Sequence, residues 1–259
     1  MCDVKKEKGF YDKEYSQSRY AVELGEQHAA YVALKNFIVK YRLCDKRCLE
    51  VGCGRGFFQD LVEDYTGVDL SDSVRQNLHK PFYQTSATEL PFGNDEFDAI
   101  WSVYTLEHIP EPEKALTEMR RVLKPGGLIF LKPAWQCRPW AASGFSVRPY
   151  KDFDLRGKLV KASIPIRNSI LFRSLYVFPR RIVRSFVYVR GKAHTKFAYK
   201  QLNPNYDHYW QPDSDAVNSM DPYEAVLWFI SRGDTCLSYT NFLSRFFVKT
   251  GAVIFRIMK

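Results

Sequence analysis

The spacing of hydrophobic positions changes along this chain, and each change marks an element. Across residues 27–39, Ala30, Val32, Ala33, Leu34, Phe37 and Ile38 recur at steps of three and four, as one face of a helix does. Residues 47–51 are instead a short apolar run of strand length. They open directly into Gly52-Cys53-Gly54-Arg55-Gly56, and FFQDLVED behind that loop has helical spacing. Strand, glycine turn, helix is therefore the first expected unit. Residues 65–70 predict a second strand, with SDSVRQNLHK as its helix, capped by Ser71 or Asp72. Further strands are expected at 82–85, 97–103 and 128–131. A helix over 111–123 carries Pro112 in its first turn and stops at Lys124-Pro125-Gly126-Gly127. Strands alternating with helices predict an α/β fold on a mainly parallel sheet.

From Lys132 to about Met220 the pattern is broken by Pro133, Pro139, Pro149, Pro165, Pro179, Pro204 and Pro212, which predicts an insertion. Regular spacing resumes as a helix over 223–230, a strand over 235–238, a short helix over 241–247 and a terminal strand over 252–258. The expected organisation is an N-terminal helical segment at 1–45, a core built from 46–135 and 221–259, and an inserted basic α-rich cap at 136–220.

With 259 residues, 46% of them hydrophobic and 26% charged, the chain reads as a folded protein with a full core, not a disordered or coiled-coil one. Charge sharpens the division. Residues 1–135 carry 18 basic and 21 acidic side chains, residues 136–259 carry 20 and 8, so the second half holds the whole excess of +9. Six cysteines include no C-x-x-C pair and no zinc-finger spacing with His, so no metal site is expected. MCDVKKEKGF lacks the apolar stretch of a secretory signal, and no apolar run is long enough to span a bilayer. A cytoplasmic protein with reduced thiols is expected, at most peripheral to a membrane.

The chemistry lies in the glycine loop. A dinucleotide turn of the G-x-G-x-x-G kind needs glycine at position 57, which is Phe57; here the pattern is Glu50-x-Gly52-x-Gly54-x-Gly56, and Asp69 ends the next strand. Glycines let a ligand approach the backbone. Asp69 is placed to accept from both hydroxyls of a ribose, Glu50 favours an ammonium, and the amides opening a following helix suit a carboxylate. S-adenosyl-L-methionine carries all of these groups.

LEVGCGRG, GVDLS, ATELPFGNDEFDAIWS, TLEHIPEPEKALTEMRRVLKPGG and LIFLKP together resemble the class I S-adenosylmethionine-dependent methyltransferases that share a UbiE-like, type 11 core. The resemblance covers residues 47–135 and the last forty or so. It implies a Rossmann-like, seven-stranded sheet whose last strand runs antiparallel. It also implies that Glu50, Gly52, Cys53 and Gly54 meet the methionine moiety, Asp69 the ribose, and Leu70 the adenine. Thr85-Ser86-Ala87 stands where such enzymes often have Gly-Asp-Ala, so Ser86 replaces the acid facing the adenine amine, with Ala87 beside it. Ser102 offers its backbone near the methionine amine.

His108, after the fourth strand, is the candidate base toward a hydroxyl or amine acceptor; the alternative is that Glu107 and His108 brace the following segment. Tyr11, with Tyr15 and Tyr20, is either a lid over the cofactor or plain packing. Arg173, Arg180 and Arg184 share a helical stripe with apolar neighbours, suited to an anionic membrane, to phosphates or to RNA, or simply solvated on a lid. The stretch from Asn203 to Leu237 is similar to methyltransferases associated with bacterial surface-polysaccharide synthesis. It implies O-methylation of a sugar or glycan intermediate, phosphate-bearing or lipid-linked, with a quinone or lipid next and tRNA third. No RNP1 or GxxG element supports nucleic acid as partner. A non-catalytic S-adenosylmethionine-binding protein is the reading from a different class.

Overall fold

The computed structural model describes residues 8–13, 25–191, 194–206 and 214–259. Its centre is β1 (Cys48–Val51), buried at every position because parallel partners flank it on both sides: β2 (Tyr65–Asp69) and β4 (Phe97–Val103). A strand so enclosed has no wet face, which is why 47–51 reads as continuous rather than alternating. Beyond β2 lies β3 (Phe82–Gln84), and beyond β4 lies β5 (Leu123–Lys132), both parallel. Two C-terminal strands finish the sheet. β9 (Val253–Arg256) runs antiparallel to β5, and β8 (Thr235–Cys236) pairs antiparallel with β9 at the edge. The order β3-β2-β1-β4-β5-β9-β8 is the seven-stranded arrangement expected, with its antiparallel strand in place.

On one face Cys48, Tyr65, Ala99, Trp101 and Phe130 pack against Leu34, Phe37 and Ile38 of α2 (Ala29–Tyr41), preceded in the chain by the short α1 (8–13). His28 caps α2 by accepting from the Ala30 amide at 3.1 Å. On the other face Leu49, Val51, Val68, Ile100, Ile129 and Leu131 meet α3 (Pro112–Val122) and the largely buried α6 (Pro222–Ile230).

The first two crossovers depart from expectation. Behind the glycine loop there is only a 3-10 turn, Gln59–Leu61, and behind β2 another, Asp72–Asn77, where helices were predicted. The length of chain explains the first. Residues 52–64 must form the loop and return to start β2, and a parallel crossover needs a dozen or more residues even without a full helix. Asp60, Glu63 and Asp64 would also crowd negative charge at the helix C-terminus. The loop is therefore not followed by an α-helical N-terminus.

Within 136–220 the chain forms α4 (Leu155–Asn168) and α5 (Ile170–Arg190), then the antiparallel pair β6 (Tyr199–Gln201) and β7 (Asn218–Met220). Pro165 and Pro179 lie inside these helices rather than ending them. Each removes one hydrogen bond from a long ladder, and packing holds the rest. Of the expected stripe of Arg173, Arg180 and Arg184, Arg180 is exposed and Arg173 half-buried, but at Arg184 the helix turns inward. Arg184 pairs with Glu224 on α6 at 2.8 Å, and Arg181 forms a buried pair with Asp221 at 2.6 Å. The last helix, α7 (Phe242–Phe246), stacks on α5 through Phe246 and Phe178.

Candidate active site

At the C-terminal edge of the parallel strands the glycine loop is shaped by β2. Gly52 and Cys53 both donate their amides to the Val68 carbonyl, at 2.9 and 3.0 Å. Gly54 donates to Asp69 Oδ2 at 2.9 Å, and Ser71 donates to Oδ1 at 3.0 Å. Each oxygen of Asp69 thus holds one amide and keeps lone pairs for further donors, such as vicinal hydroxyls. Burial raises the proton affinity of Asp69 and these amides oppose the rise. Gly52 has φ +78°, and a Cβ there would collide with the side chain of Thr105, so only glycine fits the turn. Thr105, just past β4, roofs the loop; sequence reasoning missed it.

Beneath the loop Glu50 is buried and accepts a 2.6 Å hydrogen bond from the Tyr65 hydroxyl. Gly67 makes this possible, because a Cβ there would press on both Tyr65 Oη and Cys53 Sγ. Burial pushes the Glu50 carboxyl up to about 8, with Tyr65 and the Trp101 indole opposing. An acid in that state is matched to a ligand that brings a positive charge. Cys53 is different from expectation: its side chain is buried beside Tyr65, burial holds its thiol well above the ordinary range, and its amide is spent on Val68.

Opposite the loop, β4 runs on to the 3-10 turn Leu106–His108. His108 Nδ1 lies 3.5 Å from Oδ2 of the buried Asp215, and the same oxygen accepts from the Tyr11 hydroxyl at 3.0 Å. Tyr11 stands edge-on to the imidazole, ring centroids 6.0 Å apart. Glu107 is buried and accepts from the Ala134 amide at 2.8 Å, which fixes the loop after β5 to this turn. Asn218 donates to the carbonyls of Leu106 and Ile109. Glu107 is thus part of the scaffold. The structure brings Tyr11 to His108, and joins it there with an acid, Asp215, that no motif or periodicity had marked.

The remaining candidates are Leu70, Ser86, Ala87 and Ser102. Leu70 is half-buried, and its carbonyl accepts from Gln84. Ser86 Oγ accepts from the Thr88 amide at 3.2 Å and meets Thr88 Oγ1 at 2.8 Å, closing a local turn, while Ala87 packs on the core. Ser102 is wholly buried within β4, opposite Leu131 of β5. Tyr15 and Tyr20 lie outside the described residues. Among the described residues there is no cluster of metal-ligating side chains.

A family model for a methyltransferase domain matches residues 49–131. That span runs from β1 to β5 and contains the loop, Asp69 and His108. The chain carries a class I methyltransferase core. S-adenosylmethionine is the cofactor of such a core, and the glycine cradle, the cation-seeking Glu50 and the open lone pairs of Asp69 fit it. The chain is 32% identical over 106 residues to a ubiquinone biosynthesis O-methyltransferase of Dechloromonas aromatica, spanning 34% of this chain and 44% of the relative. It is 32% identical over 139 residues to a fatty-acid O-methyltransferase of Mycolicibacterium smegmatis, spanning 48% and 47%. A probable phthiotriol/phenolphthiotriol dimycocerosates methyltransferase of Mycobacterium ulcerans is 28% identical over 58% of this chain and 66% of its own length. Among solved structures, a methyltransferase of Thermotoga maritima described as a possible histamine N-methyltransferase covers 98% of the chain at TM-score 0.50 and 16% identity, a likeness of fold.

The raised Glu50 gives a sign to the pH response. A proton held in the folded state between the ordinary carboxylate range and about 8 is absent from the unfolded chain there. Stability without ligand therefore falls as pH rises through that window. An ammonium placed at Glu50 reverses the preference, so cofactor binding should release up to about one proton per site near pH 7. Calorimetry in two buffers of different ionisation enthalpy measures this; Glu50→Gln should abolish the release, and equal heats in both buffers for the parent would refute it.

Proposed function

We propose that this chain is an S-adenosylmethionine-dependent methyltransferase that methylates an oxygen of a small, lipid-soluble or lipid-linked acceptor. The observation that carries the reading is the placement of Glu50, the glycine loop and Asp69 on one strand edge, with the His108–Asp215 pair on the element next to it. When bound, the cofactor supplies an electrophilic methyl carbon on a sulfonium. Glu50 and Asp69 would hold its two ends beneath Thr105. His108, whose Nδ1 lies 3.5 Å from Asp215, would take the acceptor's proton through Nε2. Most of the acceleration then rests on holding oxygen, carbon and sulfur in line in a dry pocket.

The activities named for the relatives support a quinone, fatty-acid or other lipid-like acceptor as readily as the sugar or glycan that the sequence favours, and a lipid-linked sugar satisfies both. The surface agrees. Leu171, Leu175, Val183, Phe186 and Val189 of α5 are exposed, as are Phe242, Leu243 and Phe247 around α7. Helices α4 and α5 hold nine Lys and Arg and no acid. An apolar face rimmed with positive charge suits an anionic membrane surface, and no helix among the described residues is long and apolar enough to cross one. Against a non-catalytic role stand the intact acids and glycines.

The first test is cofactor binding by the isolated protein. S-adenosylhomocysteine should bind and NAD should not, and Asp69→Ala should weaken binding by about 1.5–3 kcal/mol, the scale of hydrogen bonds to a charged group. No binding to folded protein, or an unchanged affinity in Asp69→Ala, rejects the reading. Labelled cofactor with quinone, lipid and glycan fractions then finds the acceptor.

A further inference from the structure

Two arginines share one indole at the root of the cap, and a third lies beside them. Arg138, on the loop that leaves β5, lies over Trp140 with its guanidinium carbon 5.8 Å from the ring centroid. Arg167, in the last turn of α4, lies over the same ring at 5.9 Å. Arg173, in the first turn of α5, donates to the side chain of Gln136 and is near enough to Arg138 for its charge to be felt there. All three are half-buried. Burial and the charge of Arg173 together lower the proton affinity of Arg138.

The Arg138 side chain also hydrogen-bonds that of Tyr176. Among the described residues none of the three forms an ion pair with a carboxylate, whereas Arg181 and Arg184 of the same helix are each matched to an acid of the core. Gln136, which receives Arg173, sits at φ 61°, a left-handed conformation that a side chain other than glycine adopts at a cost. Like charges partly withdrawn from water and held together without a counter-ion destabilise the fold, and such an arrangement persists where a ligand supplies the opposite charge. A guanidinium has five N–H donors, more than these contacts use, and its planar fork matches the oxygens of a phosphate in pairs.

We propose that Arg138 and Arg167, which share Trp140, together with the neighbouring Arg173 bind a phosphate or diphosphate group of the methyl acceptor. The inference rests on the methyltransferase reading only for the word acceptor. The loop supports that link: Ala134 is bonded to Glu107, the neighbour of His108, and Arg138 is four residues further, at most about 14 Å of extended chain. The phosphate belongs either to a soluble metabolite or to a lipid headgroup.

Titration of the full chain, saturated with S-adenosylhomocysteine, with inorganic pyrophosphate tests the site. One saturable site is expected, weakened at least about tenfold in Arg138→Gln, Arg167→Gln and Arg173→Gln and unchanged in the exposed control Arg156→Gln, with cofactor affinity equal throughout. At low salt, without pyrophosphate, Arg173→Gln should melt higher than the parent because repulsion is relieved, and pyrophosphate should raise the melting temperature of the parent and of Arg156→Gln more than that of the three site variants. Where a glutamine variant also loses the cofactor, Arg138→Lys and Arg173→Lys keep the charge but not the planar fork, and should weaken pyrophosphate while folding normally. Co-sedimentation with vesicles of phosphatidylcholine with and without phosphatidic acid assigns the source. Variants that lose both phosphatidic acid and pyrophosphate place a headgroup in the site, and variants that lose pyrophosphate alone place a soluble phosphate there. Cofactor-bound protein that binds neither probe, or variants that bind both as the parent does, overturns the site and leaves the methyltransferase reading standing. Loss of cofactor binding in the parent would do the reverse.

Discussion

Replacing His108 by glutamine should lower methyl transfer by about 10²–10⁴-fold while S-adenosylhomocysteine affinity stays near that of the parent, the signature of a lost base rather than a lost binding contact. The partition follows from position. His108 stands on the turn after β4, facing Asp215 and Tyr11, whereas Glu50 and Asp69, the acids assigned to the cofactor, lie on β1 and β2. Asp215→Asn should leave the ring in place but cease to hold the proton on Nδ1, giving a smaller fall in turnover with cofactor affinity again unchanged. Single-turnover rates with a known acceptor measure both. Turnover within a few-fold of the parent in His108→Gln would mean that positioning alone carries the transfer and that His108 braces the turn.

The second large effect should be on stability. Arg181 is buried, pairs with Asp221 through Nε at 3.1 Å and Nη2 at 2.6 Å, and gives its other donors to the carbonyls of Phe246 and Val248. One guanidinium therefore fastens α5 to the start of α6 and to the end of α7. Arg181→Met leaves the Asp221 carboxylate buried without its partner, and removing one member of such a pair costs about 3–5 kcal/mol. For a chain of this size each kcal/mol moves the melting temperature by about 2–4 °C, so a fall of roughly 6–20 °C is expected by calorimetry. Adding Asp221→Asn, which keeps an oxygen for the Tyr223 amide at the helix cap, should recover part of the loss. A melting temperature unchanged in Arg181→Met would show that the pair does not couple cap to core.

The central strands were legible because burial on both faces leaves an unbroken apolar signature, and the terminal pair because their residues show the same run. The glycine loop was legible because its spacing alone excludes a dinucleotide turn. What the sequence hid is three-dimensional in origin. Periodicity in FFQDLVED is helical, yet the distance to the next strand leaves room for only a single 3-10 turn. Pro165 and Pro179 look like stops, yet packing carries the helices past them. The stripe through Arg173 and Arg184 was visible, but not that acids on α6 would claim one end and leave the other uncompensated. Asp215 gave no signal at all, since it lies in a stretch without period and acquires meaning only where the chain folds back onto the turn carrying His108. Tyr65 had a faint one: an aromatic two residues before Gly67 on the strand beside Glu50.

The bonding of the glycine loop has a kinetic consequence. The amides of Gly52, Cys53 and Gly54 are already committed to Val68 and Asp69, and Gly56 donates to Cys53. The loop thus holds its shape through β2 and has little backbone entropy left to lose when a ligand arrives. Association should then follow a single concentration-dependent phase with no slow isomerisation, and differences in affinity among ligands should appear as differences in residence time.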